Sequence, residues 1–309
     1  MNFRTEIQLG EAPFKIGYNH RVLLMGSCFS DNIGDKMKEG RMKVLSNPFG
    51  ISFNPYSIAQ NISRIIEKNP YFESDLRERN SLFFSYDVHS SFSSFDPKKV
   101  LDNLNQVLEK THEELKKSDV LFITFGSAWV YKHTEENKIV SNCHKVPNKY
   151  FSKELLSIEA IVGRYVQLLS QLTQFNPRLK VVFTVSPVRH LKDGFIENQR
   201  SKAILLEAVH RLGELNSSCF YFPSYEIVLD DLRDYRFFKK DMLHLNDIGI
   251  DYVWEKFTSY YFEKETLDIQ LEVQSVHSFM KHQALNDESL EGKQKLALEQ
   301  LKNKYPFLQ

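Results

Sequence analysis

The chain has 309 residues, 42% of them hydrophobic and 13% aromatic, which is enough apolar material for one large domain or two ordinary ones. Lys and Arg number 40, as do Asp and Glu, so the formal net charge is +0. This balance argues against a broad cationic surface for nucleic acid or anionic lipid. With 12 Gly and 10 Pro, the chain is neither collagen-like nor of low complexity.

No apolar stretch reaches the roughly 18 residues that a membrane span needs, and residues 1–15 lack the pattern of a signal peptide. The three cysteines, Cys28, Cys143 and Cys219, are odd in number and far apart, which disfavours a disulfide framework and a zinc site. We therefore expect a cytoplasmic protein without a metal or other cofactor, a membrane span or a nucleic-acid partner.

Four short apolar runs predict buried parallel strands, because they are continuous rather than alternating and rich in β-branched or aromatic residues. The runs cover residues 21–25, 119–125, 180–185 and 219–222. Amphipathic patterns between and after them predict helices that begin after Asp96 and that cover residues 152–175, 198–215 and 246–260. This alternation predicts an α/β fold with a mostly parallel sheet and helices on both faces.

Three segments depart from that alternation. Residues 130–144 predict a β hairpin with a polar turn at 135–138, and residues 81–95 predict extended or looped structure. After residue 263 the sequence is polar and helix-prone, which predicts appended helices. We expect one elaborated domain, residues 1–262, with a C-terminal helical extension, residues 263–309, packed on it or tethered to it.

A glycine and two candidate nucleophiles, Gly26, Ser27 and Cys28, follow the first strand. At a strand-to-helix turn, the helix N-terminus supplies partial positive charge and free N–H groups. These favour a thiolate or stabilise an oxyanion. The alternative is a tight turn whose small residues let strand and helix pack.

Asp241 and His244 lie in the loop before the last helix of the domain. An Asp three residues before a His can bond the imidazole and fix its tautomer, which leaves the other ring nitrogen to act as a base. The alternative is a surface loop in which Asn246 caps the following helix.

Residues 26–30, 47–51 and 241–244 resemble the GSCFA family, a bacterial group within the SGNH (GDSL-like) hydrolase superfamily. The resemblance covers about residues 1–257. It implies a flavodoxin-like three-layer α/β/α fold and ester hydrolysis or acyl transfer through a covalent acyl-enzyme. The resemblance leaves the substrate unassigned; we expect a small-molecule or carbohydrate ester, for example an acylated carbohydrate.

The resemblance assigns the catalytic roles with one ambiguity. The superfamily motif reads Gly-Asp-Ser, and counting from Gly26 places Cys28 at the nucleophile, whereas a shift by one residue places Ser27 there. Asp241 and His244 correspond to the orienting acid and the base.

For the oxyanion hole, the resemblance indicates Gly50, and the returning arm of the predicted hairpin offers Asn142. The superfamily's Asn has no counterpart after Gly126. Arg189 and His190 follow the strand at 180–185 and are candidate substrate-binding residues. A degenerate, non-catalytic module that binds a glycan or acyl ligand is the alternative function.

Overall fold

A five-stranded parallel sheet forms the centre of the fold in the computed structural model, which describes residues 5–281 and 288–308. Its strands are β1 (Arg21–Gly26), β2 (Lys43–Ser46), β5 (Val120–Phe125), β9 (Lys180–Val185) and β10 (Cys219–Tyr221). They are ordered β2-β1-β5-β9-β10, which is the flavodoxin-like doubly wound order. The predicted flavodoxin-like α/β fold is confirmed.

Four of the five strands coincide with the predicted apolar runs, but β2 was not predicted. The sequence of β2, KVLS, is only four residues long and half-buried, so its apolar signal is weak. It pairs with β1 at the edge of the sheet. In contrast, all six residues of β5 are buried, because this strand lies between β1 and β9 and is covered on both faces.

Helices cover both faces of the sheet and complete three layers. The core on one face includes side chains of α2–α5, and the core on the other includes side chains of α1 and α7. The helices are α1 (Cys28–Glu39), α2 (Pro55–Glu67), α3 (Pro97–Lys117), α4 (Ile158–Phe175), α5 (Phe195–Leu215), the single turn α6 (Ser224–Glu226) and α7 (Asp247–Tyr261). Asp96 and Asn246 cap α3 and α7, as their positions in the sequence indicate.

Two small antiparallel sheets extend from the central one. The predicted hairpin is confirmed as β6 (Trp129–His133) and β7 (Lys138–Val140). The second sheet pairs β3 (Arg77–Arg79) with β4 (Leu82–Phe84).

The helix predicted from residue 152 begins later. Residues at its predicted start form β8 (Phe151–Leu155), which pairs with β6, and Ser157 then caps α4. The helix prediction was wrong for residues 152–155, because pairing of β8 with β6 decides the conformation of these residues.

The chain ends in the appended helices α8 (Lys264–Lys281) and α9 (Glu288–Lys304). Ile269 and Leu301 bury their side chains in the same core as α7. Residues 282–287 and 309 of the predicted extension lie outside the described residues. Of the helices described, none combines the length and apolar character needed to cross a bilayer.

We expect Gly26→Ala to lower the free energy of unfolding by at least about 2 kcal/mol, because it adds strain and a backbone clash. Gly26 has a φ of +141°, and a Cβ there would lie 2.2 Å from the carbonyl oxygen of Thr124. The matched control is Gly163→Ala on α4, where no atom lies within 4 Å of the added carbon. There, loss of backbone freedom should raise stability by about 0.5–1 kcal/mol. Urea unfolding followed by circular dichroism measures both, and equal effects would contradict the expectation.

Candidate active site

A cleft of about 410 Å³ opens at the carboxyl ends of the parallel strands, where sheets of this type bind ligands. Ser27 and Cys28 follow β1, Ser127 follows β5 and Ser186 follows β9, and all four line the cleft. The β6–β7 hairpin and the loop before α7 complete the walls. The volume is within the range of sites for small molecules.

The two candidate nucleophiles differ in what their side chains do. Ser27 is the N-cap of α1 and only 1% exposed, and its Oγ accepts a hydrogen bond from the Phe29 N–H at 3.3 Å. Cys28 is the first residue of α1 and is half-buried at the cleft. The Ser27 hydroxyl oxygen therefore caps the helix, whereas the Cys28 side chain stands at the wall of the cleft.

Burial raises the pKa of the Cys28 thiol, and the nearby Asp31 carboxylate raises it further. A hydrogen bond from its own backbone N–H, and then Lys202 and Lys239, lower the pKa, but not enough to cancel the effect of burial. The thiol is therefore protonated at neutral pH.

The structure brings Asp241 and His244 together. His244 Nδ1 lies 2.7 Å from Asp241 Oδ2, while Asp241 Oδ1 accepts hydrogen bonds from the backbone N–H groups of Leu243 and His244. These N–H groups, and then the imidazole, hold the pKa of Asp241 well below its usual value. His244 also lines the cleft that contains Cys28, with Nδ1 occupied by the carboxylate. This arrangement leaves Nε2 for a proton transfer.

Arg189 lines the cleft, but its guanidinium has partners in the protein. Nη2 donates to the carbonyl of Met242 at 2.7 Å, and the guanidinium lies over the rings of Tyr235 and Phe238. Met242 has a φ of 59°, so its loop turns sharply. Arg189 thus fastens the loop that carries His244, a role that its position in the sequence did not indicate.

His190 also lines the cleft, packed edge-on against the ring of Phe53. Its Nε2 lies 3.3 Å from the place that a Cβ on Gly126 would occupy. Burial and then the charge of Lys202 lower the pKa of His190 to about 4. It is therefore an uncharged imidazole at neutral pH.

The two predicted oxyanion residues lie elsewhere. The N–H of Gly50 donates to the Asn47 carbonyl at 2.7 Å in a turn, where a φ of +77° requires glycine. Asn142 Oδ1 accepts from the backbone N–H of His144. Neither residue is among those that line the cleft, and we do not propose either as an oxyanion donor.

Asn54 also lines the cleft, although no motif in the sequence marks it as a functional residue. Its Oδ1 caps α2 by accepting from the Ser57 N–H at 2.8 Å, as expected for Asn before a helix that starts with Pro. The amide Nδ2 therefore remains as the donor that this side chain can offer to a ligand. Lys202 was missed as well, because its burial and its contacts come from the tertiary fold.

Within residues 5–281 and 288–308, no three His, Cys, Asp or Glu side chains are grouped so that they could hold a metal ion. Polar groups of the residues that line the cleft include the Cys28 thiol, the imidazoles of His190 and His244 and the Asn54 amide.

The fold and this cleft define a flavodoxin-like α/β protein that places a thiol and a His–Asp pair at its strand ends. The chain belongs to the GSCFA family, whose model matches residues 21–257. A comparison with curated proteins finds no match.

Among solved structures, the chain is similar to a family 3 carbohydrate esterase of Clostridium thermocellum, at 12% identity and a TM-score of 0.39, over 82% of this chain and 97% of the other. A family 3 carbohydrate esterase of Talaromyces cellulolyticus has 10% identity and a TM-score of 0.37, over 77% of this chain and 94% of the other. An acetyl xylan esterase of Butyrivibrio proteoclasticus has 9% identity and a TM-score of 0.39, over 79% of this chain and 63% of the other. These values are too low to transfer any residue or substrate to this chain.

We expect Arg189→Leu to loosen the His244 loop. Hydrogen exchange at the amides of Lys239 and Met242, which bond within this loop, should become about tenfold faster because a charged hydrogen bond contributes about 1.5 kcal/mol. Arg200→Leu is the matched control, since Arg200 is exposed and bonds only Glu197 on its own helix. Exchange that is equally fast in both variants would contradict the role of Arg189.

Proposed function

We propose that this chain is an acyl hydrolase acting on ester bonds, or an acyltransferase, with Cys28 as nucleophile, His244 as base and Asp241 as the residue that orients His244. One observation carries the proposal: a histidine bonded to a carboxylate at 2.7 Å lines the same cleft as a thiol at a helix N-terminus. This combination is the nucleophile–base–orienter arrangement of covalent catalysis.

In the proposed reaction, the Cys28 thiol proton passes to His244 Nε2 as Sγ attacks the acyl carbon. The tetrahedral intermediate collapses, and its leaving group takes that proton from His244, so that a thioester remains on Cys28. Water or an acceptor hydroxyl then gives a proton to His244 and attacks the thioester. The carboxylic acid or new ester departs, and the proton returns to Sγ.

For the oxyanion, we propose the backbone N–H of Cys28 and the Nδ2 amide of Asn54. The first belongs to the opening turn of α1, whose N–H groups have no acceptor within the helix. The second lines the cleft while its Oδ1 is held by the helix cap. The Asn donor of the superfamily has no counterpart after Gly126, and Asn54 would supply this side-chain donor instead.

For the substrate, we propose a small acylated molecule, with acylated carbohydrates as the class to test first. Trp129 and Tyr131 of the hairpin contribute aromatic surface to one wall of the cleft. Lys153 lies over the Trp129 ring and also pairs with Asp193, another residue that lines the cleft. Aromatic rings beside polar groups suit ligands that have both apolar and hydroxyl-bearing faces.

A binding module that does not turn its ligand over is the second candidate function. Two contacts favour it, because each engages a group near an expected oxyanion position. The Gly50 N–H is used in a turn, and the Ser127 hydroxyl, which follows Gly126, lies 3.3 Å from the Ser201 hydroxyl. If Asn54 does not serve as a donor, the hole lacks a side-chain amide.

We further propose that residues 1–262 form the hydrolase domain and residues 263–309 a helical extension packed on it. The burial of Ile269 and Leu301 in the core shared with α7 supports this division. The three unpaired cysteines support a cytoplasmic location.

We expect Cys28→Ala to abolish turnover and Ser27→Ala to retain a substantial part of it, because the Ser27 hydroxyl caps a helix. A panel of p-nitrophenyl esters, acyl thioesters and acetylated sugars measures activity, and iodoacetamide labelling resolved by peptide mass spectrometry identifies the reactive thiol. Activity that survives in Cys28→Ala but is lost in Ser27→Ala would assign the reaction to the serine. Ligand binding without turnover of any panel member would favour the binding module.

We expect Asn54→Asp to lower kcat by about 100- to 1000-fold, because it removes one oxyanion donor. Aspartate is also a good N-cap, so the melting temperature should stay close to that of the wild type. Asn54→Ala is the comparison variant, which should lose both the activity and about 1 kcal/mol of stability. Full activity in Asn54→Asp would remove Asn54 from the oxyanion hole.

A further inference from the structure

A second cavity, the Arg164 pocket, lies between the start of α2, strand β7 and the beginning of α4. Its volume is about 170 Å³, and apart from Arg164 its lining is aliphatic or aromatic. The Tyr165 hydroxyl donates to the Pro55 carbonyl at 3.0 Å, so the polar atom of that ring is already bonded. The other lining residues are Tyr56, Ile139, Leu156, Ala160 and Ile161.

The Arg164 pocket shares no lining residue with the cleft, but it lies behind one wall of it. Side chains of consecutive strand residues point to opposite faces, and in β7 Val140 lines the cleft whereas Ile139 lines the pocket. At the start of α2, Asn54 lines the cleft and Pro55 lines the pocket. The two cavities are therefore separate binding volumes on opposite sides of the same elements.

Arg164 brings to the pocket a positive charge that forms no ion pair within the described part of the chain. Nη2 donates to the Ser63 hydroxyl at 3.3 Å, and the guanidinium carbon lies 5.7 Å from the centre of the Tyr56 ring. Nε is buried and has no acceptor. The partners of this guanidinium are thus a neutral hydroxyl and a ring, so its charge is left for a ligand to balance.

The neighbouring cations, in contrast, have carboxylate partners. Arg164 also lines a polar cavity of about 360 Å³, in which Arg64 pairs with Asp87 at 3.1 Å and Lys138 pairs with the same carboxylate at 2.7 Å. Glu67 lines that polar cavity too, but it does not line the Arg164 pocket. An unbalanced guanidinium therefore stands where an apolar volume meets a polar one.

We propose that the Arg164 pocket is a second ligand site, which binds a small carboxylate whose apolar part is about the size of a benzene ring. An apolar cavity of about 150 Å³ accommodates benzene, so the 170 Å³ of this pocket is enough for one ring. The carboxylate accepts hydrogen bonds from the guanidinium, whose planar fork suits two carboxylate oxygens. The site is independent of the proposed reaction at Cys28.

Two-dimensional NMR of the isotope-labelled full chain is the test, because amide chemical shifts measure the affinity and also show where the ligand binds. The probes are phenylacetate and phenylacetamide at neutral pH, which share a ring and differ in charge. Phenylacetate should bind at least about tenfold more tightly, because charge-assisted hydrogen bonds are stronger than neutral ones. The largest shifts should occur at residues 139 and 156–165.

Two variants separate the charge from the apolar volume. Arg164→Gln removes the cation and should weaken phenylacetate binding at least about tenfold while leaving phenylacetamide binding nearly unchanged. Ala160→Phe fills the pocket and should weaken the binding of both probes, and Ala160 is exposed, so the fold has room for the larger side chain. Arg178→Gln is the matched control, since Arg178 is exposed and lines neither cavity.

Several results would overturn the proposal. Phenylacetate that binds no more tightly than phenylacetamide, or no saturable binding of either probe, removes the carboxylate site. Unchanged affinity in Ala160→Phe, or largest shifts in the loops of the cleft, places the ligand elsewhere. Equal weakening in Arg164→Gln and Arg178→Gln shows a non-specific effect of charge. The comparison of the two probes needs only the wild type, so it decides the matter even where a variant does not fold. Ester turnover is not measured, so the outcome is independent of the proposed hydrolase activity.

Discussion

The close approach of β1 to β5 at Gly26 determines where the reactive turn lies. Gly26 pairs with Thr124, and a side chain at Gly26 would overlap the Thr124 carbonyl. The next residue continues the contact, since the Ser27 N–H donates to that carbonyl at 3.2 Å, and one turn later the Ser30 hydroxyl donates to the Thr124 hydroxyl. One residue of β5 thus fixes both the end of β1 and the first turn of α1, and Cys28 is held between those two contacts.

The strand ends and the His–Asp pair could be predicted because their signals are local. Buried parallel strands produce continuous apolar runs, and Asp241 bonds His244 within a single loop. The strand β2 was not predicted, because an edge strand of four half-buried residues produces no continuous apolar run. The start of α4 was misplaced because pairing of β8 with β6 overrides the helix pattern of its residues.

The oxyanion donors that we propose could not be predicted, because an N–H group can serve a ligand only where no acceptor within the protein already uses it. Gly50 has the residue type that the superfamily motif implies, but a turn uses its N–H. Asn54 looks in the sequence like an ordinary helix cap, and it is one, yet the cap uses only its oxygen. Arg189 stands after β9 as expected for a ligand-binding residue, but the Met242 carbonyl occupies its guanidinium. Hydrogen bonds thus decide what each group can offer a ligand: a local bond between residues three apart for Gly50 and for Asn54, and a tertiary bond for Arg189.

Burial and neighbouring charges distinguish the two imidazoles of the cleft. Burial keeps the Cys28 thiol protonated at neutral pH, so the reaction that we propose needs a base within the cleft. His190 is a poor candidate, since burial and the charge of Lys202 bring its pKa to about 4 and a proton on its ring is disfavoured. His244 differs because its Nδ1 lies against a carboxylate, which fixes the tautomer and leaves Nε2 as the proton acceptor of the proposed reaction. A chain whose net charge is zero thus gives the two histidines of one cleft different surroundings: burial and then the charge of Lys202 act on His190, and a carboxylate bonds His244.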